Sequence, residues 1–184
     1  MRCALVYDFD GTLAKGNCAE HGLLSSLGIV DVPAFWDQVR KKALENDGDE
    51  ILAYLGLLAA KARENDTGEL SETKLNEHGK QIPLLPGVET WFKRINRYAS
   101  DNGIALSHFV ISSGLDAMIQ GTCISGYFHK IFACKFEYDQ QSGEAIWPAQ
   151  SINYTTKTQY LFRINKGIDN SWDNEAVNRF IEPT

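Results

Sequence analysis

The chain has 184 residues, of which 43% are hydrophobic, enough to bury one core together with a small accessory unit. Its 24 acidic residues outnumber the 18 basic ones and give a formal net charge of −6 at pH 7. This balance argues against nucleic acid or an anionic membrane as a general partner. No stretch reaches the roughly 18 apolar residues that a membrane span needs. Asp8 and Asp10 interrupt the run where a signal peptide would lie, so we predict a soluble, cytoplasmic protein.

A pair of aspartates ends the first predicted strand. An apolar run over residues 3–7 leads into Asp8 and Asp10, which Gly11 and Thr12 follow. Because successive side chains of a strand point to opposite faces, Asp8 and Asp10 share one side. Two such charges about 4 Å apart repel by roughly 4 kcal/mol at an effective dielectric near 20, so a proton or a cation must compensate them. Gly11 lets the backbone turn sharply and approach a ligand closely. The arrangement suits a metal ion and an anion.

The aspartate pair has two other interpretations. An EF-hand loop that starts at Asp8 needs Gly at its sixth and Glu at its twelfth position. The chain has Leu13 and Ala19 there, which excludes a calcium loop of this type. An ordinary acidic turn after a strand remains the simpler alternative, because Asp-Gly is common in turns.

Residues 15–82 are predicted to be mostly helical. Asp31 fits the cap of a helix that opens at Pro33, and residues 49–62 form a helix that is apolar around most of its circumference and therefore mostly buried. A third, polar helix spans about 72–79, and the Pro- and Gly-containing segment 83–87 marks a boundary. Beyond this boundary the predicted elements alternate, in this order: helix from 88, strand 108–111, helix around 118–119, strand 130–134, a hairpin around 141–143, and helix over about 156–165.

This alternation predicts an α/β protein with a mainly parallel sheet and right-handed crossovers. Ligands of such sheets bind beyond the carboxyl ends of the strands. Asp8, Asp10 and Ser112 all lie at such ends. The segment 15–82 is inserted between the first two strands and would overhang this edge of the sheet as a lid.

Two further positions carry groups that suit an anion. Ser112 and Gly114 follow the strand 108–111, so a hydroxyl and free backbone N–H groups could face an oxyanion there. Ser113 is the competing hydroxyl, because the doubled serine leaves the register open by one residue. Lys157 lies in the first turn of the last helix, where its charge opposes the helix dipole and calls for a nearby anion. Taken alone, a surface lysine in water is the simpler interpretation.

Three segments together resemble a known family. Tyr-Asp-Phe-Asp-Gly-Thr-Leu at residues 7–13 resembles the first motif of the haloacid dehalogenase (HAD) superfamily, most of whose members are magnesium-dependent phosphatases. Residues 109–114 resemble the second motif, and the place of Lys157 resembles the third. The resemblance implies a Rossmann-like three-layer core formed by residues 1–14 and 83–184, with a small α-helical cap at residues 15–82.

The resemblance also implies roles for these residues. Asp8 would be the nucleophile that forms an aspartyl-phosphate, and Asp10 the general acid and base. Mg²⁺ would bind the Asp8 carboxylate and the Asp10 backbone carbonyl. Ser112 (or Ser113) and Lys157 would hold the phosphoryl group, with Lys135 and Lys166 as weaker candidates for the lysine. An acid and base at Asp10 argues against carbon–halogen hydrolysis, which does not need one.

The entrance to the expected cap offers candidates for substrate contact. Asn17, Glu20 and His21 stand there, although such residues more often simply cap helices. Cys18 is the cysteine nearest the aspartate motif, and we assign it no role. His78, His108 and His129 are interpreted as surface or strand-edge residues. The resemblance implies a small phosphorylated substrate, and the charged residues of the cap match no particular metabolite.

The fourth motif of the superfamily, an apolar strand followed by an acidic pair, has no match after Lys157. Residues 167–173 contain acids, but they form a polar loop that no apolar strand precedes. Without a fourth strand, the first strand would lie at a sheet edge with unpaired backbone groups. We therefore expect the N-terminal part of a longer hydrolase or a shortened gene product. A missing C-terminal segment, or self-association, would complete the sheet. The alternative function is a catalytically inactive HAD-like domain that binds a partner.

Overall fold

A computed structural model describes residues 1–66 and 68–179. Among these residues the strands are Arg2–Tyr7 (β1), Ala105–Leu115 (β2), Lys130–Tyr138 (β3) and Ala145–Gln150 (β4). The helices are Leu23–Ser26 (α1), Val32–Glu45 (α2), Glu50–Asn65 (α3), Glu72–Gly79 (α4), Val88–Asp101 (α5), Asp116–Gln120 (α6), Tyr154–Asn165 (α7) and Asn174–Asn178 (α8). Two single 3₁₀ turns cover Cys18–Glu20 and Ser125–Tyr127. None of the helices in this described part is long and apolar enough to cross a membrane.

The four strands form one sheet in the order β1-β2-β3-β4. β1 pairs with β2 in parallel, from Arg2 opposite Ala105 to Tyr7 opposite Val110, and β2 pairs with β3 in parallel. β3 and β4 form the predicted hairpin and are antiparallel. The prediction of an α/β fold with a mainly parallel sheet is therefore confirmed. Within the described residues β1 has one neighbour, so it lies at a sheet edge.

Helices cover both faces of this sheet. Tyr7 on β1 packs edge-on against Phe92 of α5, with ring centroids 5.7 Å apart. Phe132 on β3 points to the opposite face and contacts Tyr160 of α7 at 4.7 Å. Because α5 and α7 lie on different sides of the strands, the sheet is the middle of three layers.

Local sequence explains where several helices begin. Asp31 accepts a hydrogen bond from the Ala34 N–H at 2.9 Å and caps α2, as predicted. Asp49 accepts from the Leu52 N–H at 2.8 Å and caps α3. These two helices, with α1 and α4, lie within residues 15–82, here called the helical segment. The predicted loop 66–68 includes Thr67, which lies outside the described residues.

Two glycines let the helical segment approach α6 closely. A Cβ atom on Gly79, the last residue of α4, would lie 2.0 Å from the Met118 carbonyl oxygen. A Cβ atom on Gly121, just after α6, would lie 2.1 Å from the Asn76 carbonyl oxygen. The two helices are therefore in backbone contact at a crossing that no larger residue permits.

The predicted end of β2 and the predicted start of the last major helix need correction. The strand does not end at Ser112 but runs to Leu115, with an irregularity in its pairing with β3 between Ile111 and Leu115. Ser112, Ser113 and Gly114 thus belong to the last part of a strand and not to the loop after it. The last major helix also begins two residues earlier than predicted, at Tyr154.

His108 is buried, so its interpretation as a surface or strand-edge residue is wrong. The Trp91 indole N–H donates to the Tyr7 hydroxyl at 2.9 Å. That hydroxyl lies 2.9 Å from His108 Nδ1, and His108 Nε2 lies 2.7 Å from Asn96 Oδ1. These partners fit a neutral ring that accepts at Nδ1 and donates from Nε2, and burial lowers the pKa of His108.

Candidate active site

Asp8 and Lys157 form an ion pair at the carboxyl edge of the sheet. The Asp8 side chain follows β1 directly, and its Oδ1 accepts a hydrogen bond from the Phe9 N–H at 2.8 Å. Its Oδ2 lies 2.8 Å from Lys157 Nζ, and the Lys157 and Asp8 side chains are 22% and 43% exposed. Lys157 therefore has the nearby anion that its place in the first turn of α7 calls for, and solvent still reaches the pair.

The two alternative lysines have other partners. Lys135 on β3 forms an ion pair with Asp116 at 3.2 Å. Lys166 donates hydrogen bonds to the backbone carbonyls of Val177 and Arg179. The geometry thus favours Lys157 as the cation of this site.

Asp10 is held by a residue that the sequence did not single out. Its Oδ1 accepts from the Cys18 N–H at 3.0 Å, and the Cys18 thiol lies 3.8 Å from its Oδ2. Burial raises the pKa of Asp10 more than these Cys18 contacts lower it, and the charge of Asp8 raises it further. Burial, followed by the charge of Asp10, raises the pKa of the Cys18 thiol well above its usual range. The Cys18 thiol is therefore neutral and can donate to the Asp10 carboxyl, whose own pKa is raised.

Ser112 and Gly114 pack closely against Asp10 and Cys18. The Gly114 N–H donates to Ser112 Oγ at 2.9 Å, and Ser112 is fully buried. A Cβ atom on Gly114 would lie 2.9 Å from Cys18 Sγ, 3.2 Å from Ser112 Oγ and 3.4 Å from Asp10 Oδ2. The residues that resemble the second motif are thus in close contact with the aspartate motif and with Cys18.

The other serine of the pair lies in different surroundings. The Ser113 backbone carbonyl accepts from the Cys134 thiol at 3.2 Å. Side chains alternate along the strand, so Ser112 and Ser113 point to opposite sides. The geometry favours Ser112 over Ser113 as the hydroxyl beside Asp10.

Asn17 and Glu20 both have partners within the chain. Asn17 Oδ1 accepts from the Ala19 N–H at 3.0 Å and caps the turn Cys18–Glu20. Glu20 Oε1 accepts from the Trp36 indole N–H at 2.8 Å, and the Trp36 ring lies 5.2 Å from the buried Tyr54 ring. Asn17 thus has the capping role that was its alternative. The role of either residue in substrate contact stays a prediction.

The acids of residues 167–173 lie elsewhere. Asp169 Oδ2 is 2.8 Å from Nε2 of His129. His129 directly precedes β3 and so lies at the amino ends of the parallel strands, whereas Asp8 lies at their carboxyl ends. Asp173 accepts from the Ala176 N–H at 2.9 Å and caps α8. These residues therefore take part in local structure and not in the site of Asp8.

The donor set decides whether Mg²⁺ fits. Asp8 offers a carboxylate oxygen and Asp10 a backbone carbonyl oxygen, and Mg²⁺, which prefers oxygen ligands, commonly uses one or two carboxylates and fills its remaining positions with water and phosphate oxygens. Over residues 1–66 and 68–179 no group of three or more His, Cys, Asp or Glu side chains is placed to hold a metal. The two aspartates therefore fit Mg²⁺ in ligand type, at the lower limit of ligand number.

Comparisons with known proteins address the fold. No protein-family model matches the chain. An uncharacterized protein of Borreliella burgdorferi is 28% identical over 186 residues, covering 89% of this chain. A HAD family hydrolase from Salmonella enterica serovar Typhi is 18% identical, with a TM-score of 0.58 over 90% of this chain. A phosphoserine phosphatase, solved as an analogue of its phospho-aspartyl intermediate, is 17% identical, with a TM-score of 0.55 over 91% of this chain.

The chain is shorter than these proteins. It spans 65% of the length of the Borreliella protein, 52% of the Salmonella hydrolase and 73% of the phosphoserine phosphatase. At these identities the likeness to the solved structures shows a shared fold.

Proposed function

We propose that this chain, which has the HAD fold, is the scaffold of a magnesium-dependent phosphomonoester hydrolase that works through an aspartyl-phosphate. The observation that carries the proposal is the 2.8 Å contact between Lys157 Nζ and Asp8 Oδ2. It joins two residues far apart in sequence at the edge where Ser112, Gly114 and Asp10 converge. A lysine beside a nucleophilic carboxylate can neutralise both that carboxylate and an incoming phosphate.

The proposed reaction has two steps. An Asp8 oxygen attacks phosphorus and forms a new O–P bond while the bond to the leaving oxygen breaks, and Asp10 gives that oxygen its proton. Asp10 then accepts a proton from the water that attacks the aspartyl-phosphate, which frees Asp8 and releases phosphate. The raised pKa of Asp10 supports the first role, because it increases the fraction of this carboxyl that carries a proton for the leaving group.

The remaining groups hold the phosphoryl oxygens. Ser112 Oγ lies next to Asp10 and Lys157 supplies positive charge from α7, whereas the Gly114 N–H, expected to be free, donates to Ser112 Oγ. Asp8 and the Asp10 backbone carbonyl would hold Mg²⁺, which supplies charge neutralisation for the phosphoryl oxygens when bound.

We infer a small phosphorylated metabolite as substrate. Glu20 and Asn17 follow the aspartate motif and are the proposed contacts to its leaving group. A panel of sugar, amino-acid and head-group phosphates tests this inference. Glu20→Gln and Asn17→Ala should change the ranking of substrates, and an unchanged ranking in both variants would remove these residues from the proposal.

The proposal is tested by Asp8→Asn with an aryl phosphate and Mg²⁺. We expect wild-type turnover and a loss of about a thousandfold or more in the variant, because no nucleophile remains. Asp31→Asn is the matched control, since it alters an aspartate that caps α2 away from this site. Turnover that persists in Asp8→Asn would exclude Asp8 as the nucleophile.

An inactive binding module is the second candidate, because the described residues contain no group of three or more His, Cys, Asp or Glu side chains placed to hold a metal, and β1 has one neighbour among them. The same assay, run beside a chromatographic mass measurement, separates the two functions. Turnover favours the hydrolase. A defined oligomer without turnover favours the binding module.

A further inference from the structure

One carboxylate connects the helical segment to the helix that carries Lys157. Asp49 caps α3 by accepting from the Leu52 N–H at 2.8 Å through Oδ1. The same oxygen accepts from the Ser151 hydroxyl at 3.3 Å, and Oδ2 accepts from the Asn153 side-chain amide. Asp49 therefore bonds to its own helix and to a loop about one hundred residues away.

Asn153 in turn starts α7. Its Oδ1 accepts from the Thr156 N–H at 2.9 Å, and its own N–H donates to the Thr156 hydroxyl at 2.7 Å, which forms a complete capping box. The Lys157 N–H donates to the Asn153 carbonyl at 3.1 Å. The orientation of Asn153 thus sets the first turn of α7, from which the Lys157 side chain reaches Asp8.

We propose that Asp49 is a positioning residue that holds Lys157 on Asp8, through Asn153 and the first turn of α7, and so couples the helical segment to the phosphate site. This inference rests on the proposed function for its catalytic consequence, but not for its geometry. Solvent reaches the ion pair between Lys157 and Asp8, so charge attraction alone stabilises its geometry only weakly. Its geometry therefore depends on how firmly α7 is placed.

The ionisation of Asp49 agrees with this role. Burial alone would raise the pKa of Asp49, but the hydrogen bonds from Asn153, Leu52 and Ser151 outweigh burial and lower it. The group is therefore a carboxylate at neutral pH and accepts at both oxygens. A neutral amide at this position offers one acceptor and one donor, and so cannot satisfy Leu52 and Asn153 together.

Four variants separate the connection from helix capping. Asp49→Asn keeps an oxygen that can cap α3, but its NH₂ group would face the NH₂ group of Asn153, so the hydrogen bond between the two side chains is lost. Asn153→Asp keeps the cap of α7 but sets two carboxylates against each other. The double variant Asp49→Asn/Asn153→Asp exchanges donor and acceptor and restores one hydrogen bond between the positions. Asp31→Asn is the control, because Asp31 caps α2 through the Ala34 N–H as Asp49 caps α3 through the Leu52 N–H.

The main measurement is the rate at which an amine-acylating reagent modifies Lys157 in the folded protein, read by peptide mass spectrometry relative to Lys41. We expect about a tenfold faster reaction of Lys157 in each single variant, the ratio for losing one hydrogen bond to a charged group. The double variant should return to within about twofold of wild type. Asp31→Asn should leave the rate unchanged.

The kinetic measurement uses the aryl phosphate. We expect kcat to fall about tenfold in Asp49→Asn and to recover in the double variant, with a smaller change in KM. Equal labelling of Lys157 in Asp49→Asn, Asp31→Asn and wild type would overturn the proposal, as would a double variant no better than the single ones. Because labelling needs no turnover, an inactive wild-type protein would defeat the proposed function and leave this test intact.

Discussion

Asp10 lies where burial disfavours its ionised form, and the Cys18 N–H compensates only in part. Its folded pKa is raised above the unfolded value. Its contribution to folding is therefore most favourable below the unfolded pKa, and it is lost as the pH rises through the folded pKa. At neutral pH the ionised Asp10 costs folding free energy. The same raised pKa increases the fraction of Asp10 that carries the proton which the proposed chemistry needs.

Asp10→Asn should consequently separate activity from stability. The amide still accepts from the Cys18 N–H but cannot ionise, so we expect turnover to fall about 10²- to 10⁴-fold. The melting temperature should rise above that of wild type near about pH 7.5 and match it near about pH 4. Thermal unfolding across this range and the aryl phosphate assay give the two readouts. A variant less stable than wild type at neutral pH would contradict the interpretation of Asp10.

Position 114 requires a glycine, because three side chains lie close to the place that a Cβ atom would occupy. Gly114→Ala should reduce turnover about tenfold or more, since the added methyl group would press on Ser112 and Asp10 and shift them. Overpacking should also cost about 1–3 kcal/mol of unfolding free energy. Adding Cys18→Ala removes the closest contact and should recover stability without turnover, because the other two contacts remain. Gly126→Ala, where nothing lies within 4 Å, is the control.

At the scale of elements, helix α7 shows what the sequence could predict. Lys157 could be found because a positive charge in a first helical turn needs an anion and because the three motifs occur in order. The Asp31 cap could be found because capping is local. The connection from Asp49 to Asn153 could not, because no local pattern links residues this far apart.

The contact between Cys18 and Asp10 also could not be predicted from the sequence. It depends on how the chain folds back after β1, where Gly11 and Gly16 have φ values of 70° and 69°. The Gly11 N–H bonds to the carbonyls of Ala14 and Gly16 at 3.0 and 3.2 Å. The sequence could predict a turn at Gly11 but not the residue that this turn brings to Asp10.

The crossing of α4 and α6 should be the least tolerant contact of the helical segment. Gly79→Ala would place a methyl group against the Met118 carbonyl, which the backbone of α6 cannot avoid without shifting. We expect a loss of about 3 kcal/mol in unfolding free energy, measured by urea titration. Gly56→Ala, inside α3 with no atom within 4 Å, should instead stabilise the protein by about 0.5–1 kcal/mol. Equal stabilities for the two variants would show that the crossing is not close-packed.

At the scale of the whole molecule, the two edges of the sheet differ. β4 forms one edge and contains Pro148, which has no N–H to offer a neighbouring strand. β1 forms the other edge, and its interior over residues 3–7 has neither a proline nor a charged residue. An apolar edge of this kind is a template for another strand.

We therefore expect β1 to pair with β1 of a second copy when the chain is studied alone. Ala4 is exposed in the middle of β1, so Ala4→Lys adds a charge to the edge without removing a buried group. Wild type should form a dimer whose fraction grows between about 1 and 100 μM by light scattering, and Ala4→Lys should stay monomeric. Thr90→Lys, in α5, is the charge-matched control and should dimerise as wild type does. A wild-type chain that is monomeric throughout this range would contradict pairing through β1.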